Sequence, residues 1–252
     1  VRQKVVDSVG EEAFLTKGLK IQTSLDWNLQ KTAEVEVLKG VKEIDKRQGY
    51  KGSLASLKPE EVPGLELETR EEIYGKKSSF FTINDDAEKE FEFKFNKKTY
   101  LEFKEDEAKK RMLYTDSPFM PGLSGSDDLP SVLDLNTGYR AVVTKVSDEM
   151  RLVFVSLAGS PGVIPFDGFK WAHKRSISES HANYSELTKP STILKPGDLI
   201  LVEVNKKTST LQQGLSKENL APLLKNKDFG NFKNSNYIIC KLDQEPEAQG
   251  AL

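Results

Sequence analysis

Between residues 136 and 245 the chain offers apolar runs of strand length and none longer. Residues 139–146, 152–157, 163–171, 199–204 and 237–242 are five candidate strands. Gly138, Gly159, Gly162, Gly168 and the run Lys195-Pro196-Gly197-Asp198 lie between or within them as turn and close-approach signals. An open sheet of short strands would leave two unpaired edges, whereas closure removes them. Five strands with a long excursion between the last two therefore point to a small closed barrel.

The five-strand barrel of this kind is the oligonucleotide/oligosaccharide-binding (OB) type, expected over residues 136–245. Upstream, Val5, Val6, Val9, Phe14 and Leu15 suggest a short amphipathic helix near the start. Leu19, Ile21, Thr23 and Leu25 alternate with polar residues, the pattern of a half-buried strand. Asp26 is placed to cap a helix whose apolar face is Leu29, Ala33, Val37, Val41 and Ile44, ending at Gly49 as a left-handed C-cap. Residues 1–52 thus read as an α/β linker unit, completed by 243–252 if the segment at 19–25 pairs with the far end. Residues 53–135 read as an insert. In it Phe91, Phe93 and Phe95 alternate with Glu92 and Lys94, and Tyr100 to Phe103 return across Asn96-Lys97-Lys98 as a hairpin. The expected fold class is mixed and mainly β: an OB-like barrel, a small α/β linker subdomain and a variable insert.

The chemistry-bearing residues are sparse. With 37 Lys+Arg against 39 Asp+Glu, the net charge of -2 gives no global reason to seek nucleic acid or anionic lipid. A hydrophobic share of 37% implies modest cores. The lone Cys240 between apolar neighbours excludes an intramolecular disulfide and reads as a small buried hydrophobe. His173 and His181 have no neighbouring Cys ligands, so no metal site is expected. Gly75-Lys76-Lys77-Ser78 lacks the upstream glycine of a phosphate loop. No lysine has a serine three residues before it, so the serine nucleophile of penicillin-recognising enzymes is absent. No catalytic residue, cofactor or metal is therefore assigned. The candidate binding residues are aromatic: Phe91 and Phe93 with Tyr100 on the expected hairpin, and Trp171 and Tyr184 in the barrel region. For Trp171, packing in a barrel strand is the more ordinary role.

The N-terminal unit is also specific in wording. Gly18-Leu19-Lys20-Ile21-Gln22-Thr23-Ser24-Leu25-Asp26, with Leu29-Gln30 and Gly49-Tyr50-Lys51-Gly52, resembles the linker of class A penicillin-binding proteins of the type 1A branch. Ser24 replaces that family's second Thr, and Lys51 its Arg. Trp171-Ala172, Leu194-Lys195-Pro196-Gly197-Asp198-Leu199-Ile200, Gln244-Glu245-Pro246-Glu247 and Gly250-Ala251-Leu252 are similar in content and order to the family's OB-like insert and its exit. The resemblance covers roughly 1–52 and 136–252, while 53–135 match nothing in it. It implies a parent that is a bifunctional peptidoglycan transglycosylase and transpeptidase, anchored in the inner membrane and working in the bacterial periplasm. The chain would be a fragment lying between the two catalytic domains, consistent with a start at Val1 rather than Met. No family catalytic residue can be carried over.

The expected function is accordingly a non-catalytic docking and spacer region of a cell-wall synthase. Its expected partner is a protein, either an outer-membrane lipoprotein activator or another cell-wall synthesis protein, beside the flanking catalytic domains. Peptidoglycan is a further possible contact; nucleic acid and direct membrane contact are not expected. The alternative is an OB module that binds nucleic acid or glycan through exposed aromatics.

Overall fold

The computed structural model describes residues 2–22, 24–77, 81–83, 89–91, 129–174, 187, 189–227 and 229–247. The chain divides into two units, Val1–Val41 with Gly250–Leu252, and Lys42–Gln249. In the first, helices α1 (Arg2–Val9) and α2 (Glu11–Thr16) are separated by Gly10 at φ 82°, a conformation that only glycine adopts freely. Helix α3 (Trp27–Arg47) starts where Asp26 Oδ1 accepts from the amides of Asn28 at 2.9 Å and Leu29 at 3.2 Å. It ends before Gly49, at φ 96°. Both caps are those its sequence calls for. The strand expected at 19–25 is a correction: the described residues 19–22 and 24–25 are not in a strand, and Leu19, Ile21 and Leu25 are exposed. Alternation alone does not make a strand, because its backbone groups need a neighbour to pair with. No described residue up to Val41 is buried.

The second unit holds the core. Strand β1 (Ala55–Ser56) precedes helix α4 (Val62–Lys77); β2 (Phe81–Ile83) and β3 (Lys89–Phe91) form an antiparallel pair. Residues 92–103, which carry the rest of the expected hairpin, lie outside the described residues. After α5 (Leu129–Val132) come β4 (Gly138–Ser147), β5 (Leu152–Leu157), β6 (Ser160–Pro165), helix α6 (Phe166–Phe169) and the long β7 (Asp198–Thr210). Helices α7 (Leu211–Gly214), α8 (Lys217–Leu223) and α9 (Phe229–Phe232) lead to β8 (Asn236–Asp243).

The barrel is a closed five-stranded circuit. β4, β5 and β6 follow one another antiparallel, β6 pairs parallel with β8, and β8 returns through β7 to β4. This is the OB topology, with helical parts around it. β7 closes the circuit by pairing with β4 over Leu199 to Glu203 and with β8 from Leu201 to Thr210. At the parallel join, a Cβ on Gly162 would lie 2.9 Å from Val155 Cγ2 and 3.4 Å from the Ile238 carbonyl. Glycine there allows the strands to approach. The third strand ends at Pro165 rather than at Trp171. Pro165 starts the one-turn helix α6, and Gly168 sets it against the backbone of β8, where a Cβ would stand 3.1 Å from the Cys240 carbonyl.

Alternate residues face inward: Ala141 and Val143, Val153, Val155 and Leu157, Ile164, Ile200, Val202 and Val204, then Ile238, Cys240 and Leu242. Phe169, Leu129, Leu133, Ile73 and Tyr74 join the same cluster, so α4, α5 and α6 complete the barrel core. A second cluster lies on the outside. There Leu152 and Phe154, Val163, and Tyr237 and Ile239 meet Leu211, Leu215, Leu223 and Phe229 from the excursion after β7. Every residue of β5 is buried, because both faces of the strand are covered.

Candidate functional site

The apolar stripe of α3 runs Ala33, Val37, Val41 and then reaches Asp45, a carboxylate only 2% exposed. A buried charge needs partners. Asp45 Oδ2 accepts from Gln244 Nε2 at 2.6 Å, while Oδ1 accepts from the Glu247 amide at 3.4 Å and pairs with Lys51 Nζ at 3.3 Å. Gln244 uses both ends of its amide: Nε2 also donates to the Gly49 carbonyl at 3.2 Å, and Oε1 accepts from the Lys51 amide at 3.1 Å. Lys51 Nζ donates to the Glu245 carbonyl as well.

One turn before Asp45 and directly after it, Lys42 and Lys46 hold Asp243, the last residue of β8. Their ammonium groups stand 2.6 Å and 3.1 Å from its carboxylate, whose side chain is fully buried. Burial alone would raise the Asp243 carboxyl. The charges of Lys46 and Lys42 outweigh that and hold it below its ordinary value of 3.8. Aromatic packing backs the charges. The Tyr50 ring meets Trp171 edge-on at 6.1 Å, Lys46 Nζ lies 5.2 Å from the Trp171 ring, and the Tyr50 amide donates to the His173 carbonyl at 2.8 Å. Burial, and then the charge of Asp198, raise the Tyr50 phenol. The chain arriving at 42–51 and the chain departing at 243–247 are thus fastened together. Beside the fastening a cleft of about 270 Å³ is lined by Tyr50, Lys51, Leu54, Leu201 and the departing chain.

The other surface with a claim to function is the outer face of β5 and β6, where an OB barrel ordinarily lays its ligand. Here α7–α9 cover it, and Phe154 and Tyr237 are buried beneath them. The neighbouring position on β5, Ser156, is covered by α4, its hydroxyl donating to the buried Glu66. Arg140 on β4 reaches Glu68 at 3.2 Å and Glu72 at 2.9 Å on that helix. No strand-face aromatic of β5 or β8 is open for stacking.

The expected site residues are not brought together. Trp171 follows α6 instead of lying in a strand, and serves as half-buried packing at the fastening. Phe91 ends β3, its backbone paired with Phe81. Phe93, Tyr100 and Tyr184 lie outside the described residues. Among the described residues no cluster of His, Cys, Asp or Glu can hold a metal ion, and no helix is long and apolar enough to cross a membrane. Cys240 is buried, which raises its thiol far above reactive range. Sequence reading missed Lys42, Asp45, Lys46, Asp243 and their interplay with Gln244. The signal was there: Asp45 sits on the apolar stripe of α3, and Asp243 ends a strand whose other residues are mostly apolar.

Comparison with known proteins agrees with this architecture. Residues 124–248 match the family described as the penicillin-binding protein OB-like domain. Over 58 residues the chain is 38% identical to penicillin-binding protein 1A of Rickettsia bellii (strain RML369-C). Over the same length it is 40% identical to penicillin-binding protein 1A of Rickettsia felis (strain ATCC VR-1525 / URRWXCal2). The matched stretch is 23% of this chain and 7% of each relative, so the match spans a small part of those proteins.

Proposed function

We propose that this chain, whose residues 124–248 match the penicillin-binding protein OB-like domain, is the docking and spacer part of a class A peptidoglycan synthase, without catalytic groups of its own. The supporting observation is the fastening of 42–51 to 243–247. Tying its incoming and outgoing chain side by side suits a barrel to insertion in a longer chain. Such a domain adds a surface without lengthening the path between whatever lies on either side of it. A protein bound to that surface shifts the synthase between arrangements by its differential affinity for them. The covered β5–β6 face speaks against the nucleic-acid or glycan alternative.

In this reading the parent polymerises glycan and cross-links peptides on the periplasmic side of the inner membrane. The partner is a protein of the same envelope, an outer-membrane lipoprotein activator or another cell-wall enzyme. The test is excision. Joining residue 51 to residue 243 by a short Gly-Ser linker in the parent should leave basal synthesis intact and remove stimulation by the partner. Loss of basal synthesis in a folded parent would show that the region does more than dock. Affinity capture with the folded chain from a solubilised envelope should recover the partner, and capture of nothing would leave a passive spacer.

A further inference from the structure

The excursion between the two last barrel strands has a charge unlike the rest of the molecule. Residues 211–235 carry four lysines against two carboxylates, and the adjoining ends of β7 and β8 add Lys206, Lys207 and Lys241, in a chain of net charge -2. Lys206 and Lys207 are engaged with the carbonyls of Gly214 and Ser131, at 3.0 Å and 2.9 Å. Lys217, Lys225, Lys227 and Lys233 are exposed on α8 and the turns around α9, and none of them forms an ion pair among the described residues. The inner side of this helix layer is apolar and seated on the barrel. On its outer side, Leu224 is 67% exposed, directly beside Lys225. Glu149 reaches this layer, its Oε2 accepting from Asn226 at 3.4 Å.

We propose that the α8–α9 face docks an acidic protein segment, its carboxylates opposite these four lysines and an apolar residue over Leu224. The proposal rests on the docking reading above and gives the partner its chemistry. Exposed lysines with no ion pair among the described residues, on the same helix layer as an exposed leucine, favour a partner that brings carboxylates and an apolar side chain, and the charge speeds encounter. A lipid surface is less suited, since membrane-surface helices present a broad apolar face and that of this layer is spent on the barrel. Nucleic acid is less suited too. Phe154, Phe229 and Tyr237 are buried, and residues 205–241 contain no arginine for stacked or bidentate phosphate contacts.

The test compares the chain with the reversal K217E/K225E/K227E/K233E and with a control reversing four exposed lysines elsewhere, K4E/K17E/K20E/K58E. The probes are a labelled Glu/Asp-rich peptide with one central leucine, phosphatidylglycerol vesicles and oligo-dT. The chain and the control should bind the peptide, more weakly as salt rises, and the first reversal should bind it about 10-fold more weakly or worse. Circular dichroism checks that the variants fold, with the lysine-to-glutamine set as a substitute if the reversal does not. Absent peptide binding, equal binding by the reversal, or lysine-dependent binding of vesicles or oligo-dT instead would overturn the proposal. Carbodiimide, which joins lysine amines to carboxylates, is then added to chain incubated with solubilised envelope. Cross-links from Lys217, Lys225, Lys227 or Lys233 to a partner's Asp or Glu support it. A partner retained equally by the reversal leaves docking standing and overturns this face, whereas no partner at all overturns both.

Discussion

At the junction, the buried carboxylate of Asp243 answers two ammonium groups that are themselves about a quarter exposed. Asp243→Asn should cost about 2 kcal/mol, read from urea unfolding, since both lysines lose their counter-charge. Its folded pKa lies below its unfolded one, so the ion pairs contribute fully above the ordinary value of 3.8 and lose their effect as pH falls through the lowered folded value. The wild-type chain should therefore lose stability below that pH more steeply than Asp243→Asn does. Equal acid profiles would show that Asp243 is not held by the lysines. Gly162 offers a purely steric test. Gly162→Ala should cost about 1–3 kcal/mol, because the new methyl meets Val155 Cγ2 at 2.9 Å in the barrel wall. A neutral result would mean that the β6–β8 join can spread.

At the scale of elements, the helix layer α7–α9 is the part that makes this barrel unlike an open binding fold. Phe229→Ala should cost about 3 kcal/mol and raise hydrogen exchange first in residues 211–232, because it removes the ring that seals Phe154 and Tyr237. Exchange rising evenly over the barrel instead would make the layer an integral part of the fold. These helices were not legible in the sequence. Each is four to seven residues long, too short for a periodic stripe to stand out, and tertiary burial rather than propensity holds them. α3 was legible because it is long and carries Asp26 and Gly49 at its two ends. The alternating segment at 19–25 misled, since its pattern describes one face of a strand and says nothing about the edge it must pair with.

For the whole molecule the decisive expectation is what it does not bind. Single-stranded oligonucleotide should show no anisotropy change with this chain at low or at high salt, because the β5–β6 face is occupied by the chain's own helices. A salt-dependent increase would restore the nucleic-acid alternative. The buried apolar clusters, one inside the barrel and others outside it, also bear on stability. All of them lie in the second unit, while the first, though no poorer in apolar residues, has no buried residue among those described.

The sequence by itself determined the barrel. Its five strand-length runs, the glycines at the close approaches and the alternation within each strand leave few ways to bury their apolar side except by closure. It also determined both ends of α3, since caps are local hydrogen-bond chemistry between residues a few positions apart. Only the tertiary structure decided that Asp45 meets Gln244 and that Lys42 meets Asp243, about 200 positions away along the chain. It likewise decided that Trp171 is packing and that the customary ligand face is covered. Those outcomes depend on which distant surfaces come together once the barrel has closed, and a pattern read along one segment holds no record of its neighbour across space.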